Sequence, residues 1–247
     1  MSDAVPLADA LRSDALLRKS SKMRPREAAT LILLDHSGGA TRVLLGRRHA
    51  AQKFMPGKFV FPGGRVEPGD RRMSAAGPLN PVIEEKLNSR TRRPSPGFAR
   101  ALALAAIRET FEETGLALGV AAYGAPAKPP PGAWARFAAA GVFPALDGLD
   151  FIARAITPPG RPRRFDTRFF VADAALIAYR APGTVGPDAE LVELVWTPLG
   201  EATKLDIPAI TRVVLAELAS AAQSGMNRFR ARPFYHEHRG RWLREEL

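Results

Sequence analysis

Apolar and polar positions alternate along the chain in blocks whose lengths separate strands from helices. Glu27–Asp35 (EAATLILLD) and Arg42–Arg47 (RVLLGR) are apolar runs on either side of a Ser37-Gly38-Gly39 turn, which predicts a β-hairpin. Phe59–Phe61 predicts a short strand that runs into Pro62-Gly63-Gly64, and Leu116–Tyr123, Asp150–Ile156, Arg168–Ala174 and Leu191–Trp196 are further strand candidates. Phe98–Thr114 has helical spacing and is closed by Gly115, the residue that most readily takes the left-handed conformation at a helix end. Pro208–Ala222 predicts an amphipathic helix on Ile210, Val213, Val214 and Leu218, with shorter helices near Pro81–Asn88 and Ala133–Ala140.

The polar residues 1–26 read as an arm with one amphipathic turn around Leu7–Leu17, residues 71–97 as an irregular insertion, and residues 225–247 as a basic tail. Between arm and tail, residues 27–224 form one domain of the α/β (α+β) class, and the opening hairpin argues against a purely parallel sheet.

Composition narrows this picture. With no cysteine among 247 residues, disulfide frameworks, thiolate metal sites and cysteine nucleophiles are excluded, and a reducing cytoplasm is expected. No apolar run approaches the ~20 residues of a membrane helix, so no membrane partner is expected. Lys and Arg number 36 against 25 Asp and Glu, a net charge of +11. The whole excess sits in residues 71–107, 157–168 and 225–247, which carry +5, +3 and +3. Clustered arginine suits anionic partners such as a phosphorylated small molecule; on charge alone a solvated surface is the favoured reading, and nucleic acid is not the expected partner.

The chemistry concentrates in two stretches. The first is Gly64-Arg65-Val66-Glu67-Pro68-Gly69-Asp70; the second, 37 residues later, is Arg108-Glu109-Thr110-Phe111-Glu112-Glu113-Thr114-Gly115-Leu116. On a helix, Glu109, Glu112 and Glu113 share one face, while Leu104, Ile107 and Phe111 share the opposite one. Three neighbouring carboxylates repel one another, so the cluster calls for a counter-ion. Oxygen donors without Cys or nearby His suit Mg²⁺ or Mn²⁺. Arg108 can reach Glu112 at i+4, and Gly63 and Gly64 allow close backbone approach near a phosphate. His36, His49, His236 and His238 are too dispersed to join such a set. Trp134, Phe137 and Trp196 read as core residues.

The two stretches together resemble the Nudix box: Gly, five residues, an acid, a spacer, then Arg-Glu-apolar-x-Glu-Glu-x-Gly-apolar. Gly64, Arg108, Glu109, Glu112, Glu113, Gly115 and Leu116 match. Asp70 stands in place of the family's Glu, Thr110 in place of an aliphatic residue, and the spacer is 37 residues instead of seven. The interruption, with Phe54–Gly64, Arg164–Phe170 and Ile207–Arg212, resembles the branch of Nudix coenzyme A diphosphatases whose box carries an insertion. Gly46, His49 and Lys53 stand where that branch has Thr, Ser and Arg.

The resemblance implies a Nudix-type α/β/α sandwich with a mixed, partly antiparallel sheet. It implies a pyrophosphohydrolase that uses Mg²⁺ or Mn²⁺, with Glu109, Glu112 and Glu113 as metal ligands and Arg108 orienting them. Glu112, Glu113 or Glu190 would take the proton of the attacking water, Glu190 being the first candidate from a later loop, and Asp70 would act through water or cap its loop. Gly63, Gly64, Lys53, Arg164 and Arg168 are the expected substrate contacts, the two arginines reaching a substrate phosphate. Coenzyme A or acyl-coenzyme A is the expected substrate, with ADP-ribose, a dinucleotide or capped RNA as alternatives. A non-catalytic nucleotide- or nucleic-acid-binding regulator is the alternative of another class, and an intact glutamate set argues against it. A homodimer is the assembly the resemblance suggests. The insertion is expected to be dispensable for the core and to tune substrate preference.

Overall fold

A computed structural model describes residues 23–247; the arm expected over 1–26, including its Leu7–Leu17 turn, lies outside the described residues except for 23–26. The strands are β1 (Arg26–Asp35), β2 (Arg42–Arg48), β3 (Phe59–Val60), β4 (Gly63–Arg65), β5 (Leu116–Leu118), β6 (Asp150–Ile156), β7 (Phe165–Asp173), β8 (Ile177–Arg180), β9 (Leu191–Pro198), β10 (Pro233–His238) and β11 (Arg241–Glu246). The helices are α1 (Pro81–Asn88), α2 (Pro96–Thr114), α3 (Ala133–Ala139) and α4 (Ala209–Gln223).

A nine-stranded mixed sheet runs β11-β10-β6-β7-β1-β2-β3, with β4 also beside β1 and β9 also beside β2. β1 pairs parallel with β7 and antiparallel with β2 and β4. Its apolar run is buried on both faces, as expected of a central strand covered on each side. Leu31 and Leu33 join the core beneath α1, α2 and α3, while Ile32 and Leu34 join the core beneath α4. The architecture is therefore an α/β/α sandwich with a mixed sheet, as the sequence predicts.

Helix α2 is placed by its ends. The Ser95 side chain accepts from the Phe98 N–H at 3.0 Å, Pro96 occupies the first turn, and Gly115 closes the helix at φ 76°. A Cβ on Gly115 would stand 2.7 Å from the Ala181 carbonyl oxygen, so the segment after β8 packs directly on this helix end. The helix is buried around its whole circumference from Ala101 to Arg108 rather than along one stripe.

The insertion is the reason. Met73, Leu79, Ile83 and Leu87 are all at most 5% exposed and belong to the same core cluster as α2. Asn80 caps α1 by accepting from the Val82 N–H at 3.0 Å. The segment is irregular around one short helix, as expected, but the expectation that the core can spare it is corrected: these residues form one wall of the core.

A second correction concerns the basic tail expected over 225–247. Residues 233–246 are the β10–β11 hairpin, and β10 adds parallel to β6 with Phe234 opposite Arg154. Arginines flank this segment and hide its alternation, but Phe234 and Tyr235 are buried. Leu116–Tyr123 is strand only to Leu118, and Ala121–Tyr123 forms a 3₁₀ turn. No helix among the described residues is long and apolar enough to cross a membrane.

Since Ile83 and Leu87 fill core space, Ile83→Ala is expected to lower stability by ~2–5 kcal/mol. Deleting residues 73–96 is expected to abolish cooperative unfolding. Urea titrations followed by circular dichroism measure both.

Candidate active site

The box residues meet where β4 crosses the last turns of α2. Glu67, Arg108, Glu109, Glu112, Glu113, Arg136, Thr184 and Glu190 line an open cavity of about 350 Å³. The fold thus unites the three helical glutamates, Arg108 and the distant Glu190, all of which the sequence nominated. It also adds Glu67, Arg136 and Thr184, which sequence reasoning missed. Glu67 lies inside the first box stretch and was in that sense visible, whereas nothing local to Arg136 or Thr184 marks them.

Arg108 is the centre of the arrangement. Its side chain is only 3% exposed, and its Nε and Nη2 donate to the two carboxylate oxygens of Asp70 at 2.8 and 3.1 Å. Nη1 donates to Glu109 at 2.9 Å and to Glu112 at 2.5 Å, and Nη2 also reaches the Arg65 carbonyl at 2.7 Å. Burial acts to lower the pKa of Arg108, but the Asp70 hydrogen bond and the Glu109 charge outweigh it and raise it above the ordinary value.

Asp70, fully buried, caps its loop as one expectation had it, and does more. It accepts from Arg108, from Trp134 Nε1 at 2.8 Å and from the Glu67 N–H at 2.7 Å. The shorter acid at this box position anchors the arginine, and Trp134 is a core residue whose indole N–H completes that anchor. Thr110 is equally accommodated: its hydroxyl donates to the Ala106 carbonyl at 2.8 Å inside the helix.

Gly63 and Gly64 lie in β4 opposite Thr30 and Ala29, and neither has positive φ. Their value is proximity. A Cβ on Gly63 would come 2.6 Å from the Ala29 carbonyl oxygen, and one on Gly64 would come 2.5 Å from the Glu109 carboxylate. The Gly63 N–H donates to Glu113 at 3.1 Å, so it holds a carboxylate rather than a phosphate.

Burial pushes Glu109 up to about 7, with Arg108 opposing and Glu112 adding to the rise. Burial, then the charges of Glu190 and Glu109, holds Glu113 well above the usual carboxylate range, against the pull of the Gly63 N–H. Glu190 is 47% exposed and pairs with Arg48 at 3.0 Å.

The donor chemistry fits a hard divalent cation: the cavity offers carboxylate oxygens, and a cation beside the buried Glu113 would relieve its desolvation. Among the described residues, no three acidic or histidine side chains are already gathered on one point. Glu109 and Glu112 lean on Arg108, and Glu113 leans on Gly63.

The other expected substrate contacts lie elsewhere. Arg168 is wholly buried, bonded to Glu27 and to the Asp166 carbonyl, with its guanidinium 5.4 Å from the Phe98 ring at the opposite end of α2. Arg164 donates to the Thr157 and Met23 carbonyls at 3.0 and 2.8 Å. Arg168 is thus shut inside the sheet end with Glu27 and Asp166, and Arg164, just before β7, spends Nε and Nη1 on backbone carbonyls. Lys53 is exposed on the β2–β3 connection and does not line the cavity.

The similarities to solved structures agree with this geometry. A Nudix hydrolase from Alicyclobacillus acidocaldarius superposes with a TM-score of 0.59 at 28% identity, over 81% of this chain and 93% of that one. More distant are the Nudix hydrolase RenU from M. Smegmatis (19% identity, 81% and 86% coverage, TM-score 0.42) and the Nudix domain of Shewanella oneidensis NrtR complexed with ADP ribose (12%, 90% and 99%, 0.45). No protein-family model matches the chain. The fold is that of the Nudix hydrolases. The residues that resemble the box are brought together on that fold.

Asp70→Ala strips the buried Arg108 Nε of its partner and the guanidinium of its one fully buried counter-charge, and is expected to cost about 3–5 kcal/mol. Trp134→Phe is expected to cost about 1–3 kcal/mol. Unfolding free energies measure both. A second expectation concerns pH. Glu109 and Glu113 hold protons more tightly folded than unfolded, so their contribution to stability is full below about 4.5 and is lost as pH rises, through about 7 for Glu109. In chelator, urea midpoints should fall across that window for wild type and stay flatter for Glu113→Gln.

Proposed function

We propose that the chain hydrolyses the diphosphate bond of a nucleoside diphosphate derivative in a Mg²⁺- or Mn²⁺-dependent reaction. The observation that carries this reading is one open cavity lined by five acidic residues, Glu67, Glu109, Glu112, Glu113 and Glu190, in which a buried arginine holds Glu109 and Glu112. Glu109, Glu112 and Glu113 would hold the cation. A divalent cation there supplies charge neutralisation for a diphosphate and acidifies water.

The chain's own groups do the remainder. Arg108, fixed by Asp70 and Trp134, sets the positions of Glu109 and Glu112. The Gly63 N–H fixes Glu113. Glu190 is assigned as general base, because it lines the same cavity and is open enough to pass a proton to solvent.

For the substrate, the split box and the Phe54–Gly64 segment favour coenzyme A or acyl-coenzyme A, cleaved to 3′-phosphoadenosine 5′-phosphate and 4′-phosphopantetheine. The engagement of Arg164 and Arg168 points the other way, since neither is free to read a 3′-phosphate. ADP-ribose or a dinucleotide suits the cavity chemistry equally well.

Glu112→Gln and Glu113→Gln are each expected to reduce kcat by more than the ~10–100-fold that loss of a supporting hydrogen bond costs. Near-normal turnover in both would remove the proposed site. A panel of coenzyme A, dephospho-coenzyme A, ADP-ribose, NADH and a dinucleoside polyphosphate, each with Mg²⁺ and Mn²⁺, settles the substrate. Equal rates on coenzyme A and its dephospho form would show that the 3′-phosphate is not read.

A further inference from the structure

A second cavity, about 290 Å³ and open to solvent, adjoins the carboxylate cavity and shares Glu112, Arg136 and Thr184 with it. Its remaining walls are apolar: Phe111 from the box helix, Ala139 and Ala140 at the end of α3, and Tyr179 and Ala181 from the β8 segment. Tyr179 is 39% exposed, an unusual position for a large ring. The placement of β8 is fixed: Tyr179 pairs with Ala117 immediately beyond the helix, and the Ala181 N–H donates to the Gly115 carbonyl at 2.8 Å.

Arg136 stands on the boundary between the two cavities. Its side chain is 70% exposed, and its contact with Glu112 is long, at 3.3 Å. Arg108, the other cation of the carboxylate cavity, is spent on Asp70, Glu109, Glu112 and the Arg65 carbonyl. Of the two guanidinium groups lining that cavity, Arg136 alone is thus available to an incoming anion.

We propose that the second cavity is the nucleobase subsite of the substrate, with the base stacked on Tyr179 and Arg136 bridging to the diphosphate. This rests on the diphosphate hydrolase reading above and adds the side of the site on which the base lies. The small side chains of Ala139, Ala140 and Ala181 leave a slot beside an aromatic face, which suits a planar ring better than a branched one. A diphosphate oxygen that engages Arg136 draws it from Glu112 and frees Oε1 of that carboxylate, Oε2 remaining on Arg108, so anion binding and cation binding at the first cavity would reinforce one another.

Titration calorimetry of the full chain with ADP and with inorganic pyrophosphate, both in Mg²⁺, tests this without relying on turnover. ADP is expected to bind more tightly than pyrophosphate. Tyr179→Ala should weaken ADP about tenfold while pyrophosphate changes little, and Tyr179→Phe should retain wild-type affinity. Ala139→Leu, at an exposed position, narrows the slot and should also weaken ADP selectively. Arg136→Ala should weaken both ligands about tenfold, with partial recovery in Arg136→Lys. An ADP-to-pyrophosphate ratio unmoved by Tyr179→Ala and Ala139→Leu would overturn the base subsite, and unchanged binding in Arg136→Ala would overturn the bridge. Failure of the hydrolase reading would show separately, as absent turnover on every diphosphate of the panel, while these affinities still decide the subsite.

Discussion

The site depends on one buried cation. Arg108 brings its charge into a place where water cannot stabilise it, and it is tolerated only because Asp70, Glu109, Glu112 and a backbone carbonyl saturate its donors. The same bonds that satisfy the guanidinium fix two of the glutamates. Stability and chemistry are thereby tied together: a loosened Asp70 or Trp134 would misplace carboxylates that neither residue touches. Arg108 attracts Glu109 and Glu112, whereas Glu113 relies on the Gly63 N–H and is left with the strongest burial penalty.

Much of this was legible in the sequence, for a physical reason. β1, β2, β6 and α4 carry periodicity strong enough to survive their surroundings, and the helical spacing of Glu109, Glu112 and Glu113 fixes one face irrespective of the fold. Gly63 and Gly64 were singled out for close backbone approach, and they serve it; what they approach is a neighbouring strand and the carboxylates of Glu109 and Glu113, which only tertiary contacts reveal. The burial of Arg168 was not legible, because exposed and buried arginines look alike in one dimension. Arg168 sits beside Asp166 in β7, and the Glu27 that completes its neutralisation is 141 residues away. Arg136 and Thr184 reach the cavity through packing of elements that carry no motif.

The interruption of the box explains several of these features at once. The thirty extra residues supply Met73, Leu79, Ile83 and Leu87 to the core and bury α2 all round. Outside the box, the α3 segment then contributes Trp134 to the Asp70 anchor and Arg136 to the cavity rim. A helix buried on every side has little freedom to shift, which suits a turn that must present three like charges. The cost of that presentation is met by packing instead of by solvent.

The β10–β11 hairpin has a consequence for how the molecule meets its neighbours. β11 forms one rim of the sheet, and Arg241, Arg244, Glu245 and Glu246 flank Trp242 and Leu243 along it. Charged side chains on an edge strand would lose hydration if a further strand docked there, which blunts the edge. Fibril-like growth through this border is disfavoured, and the sheet ends at β11.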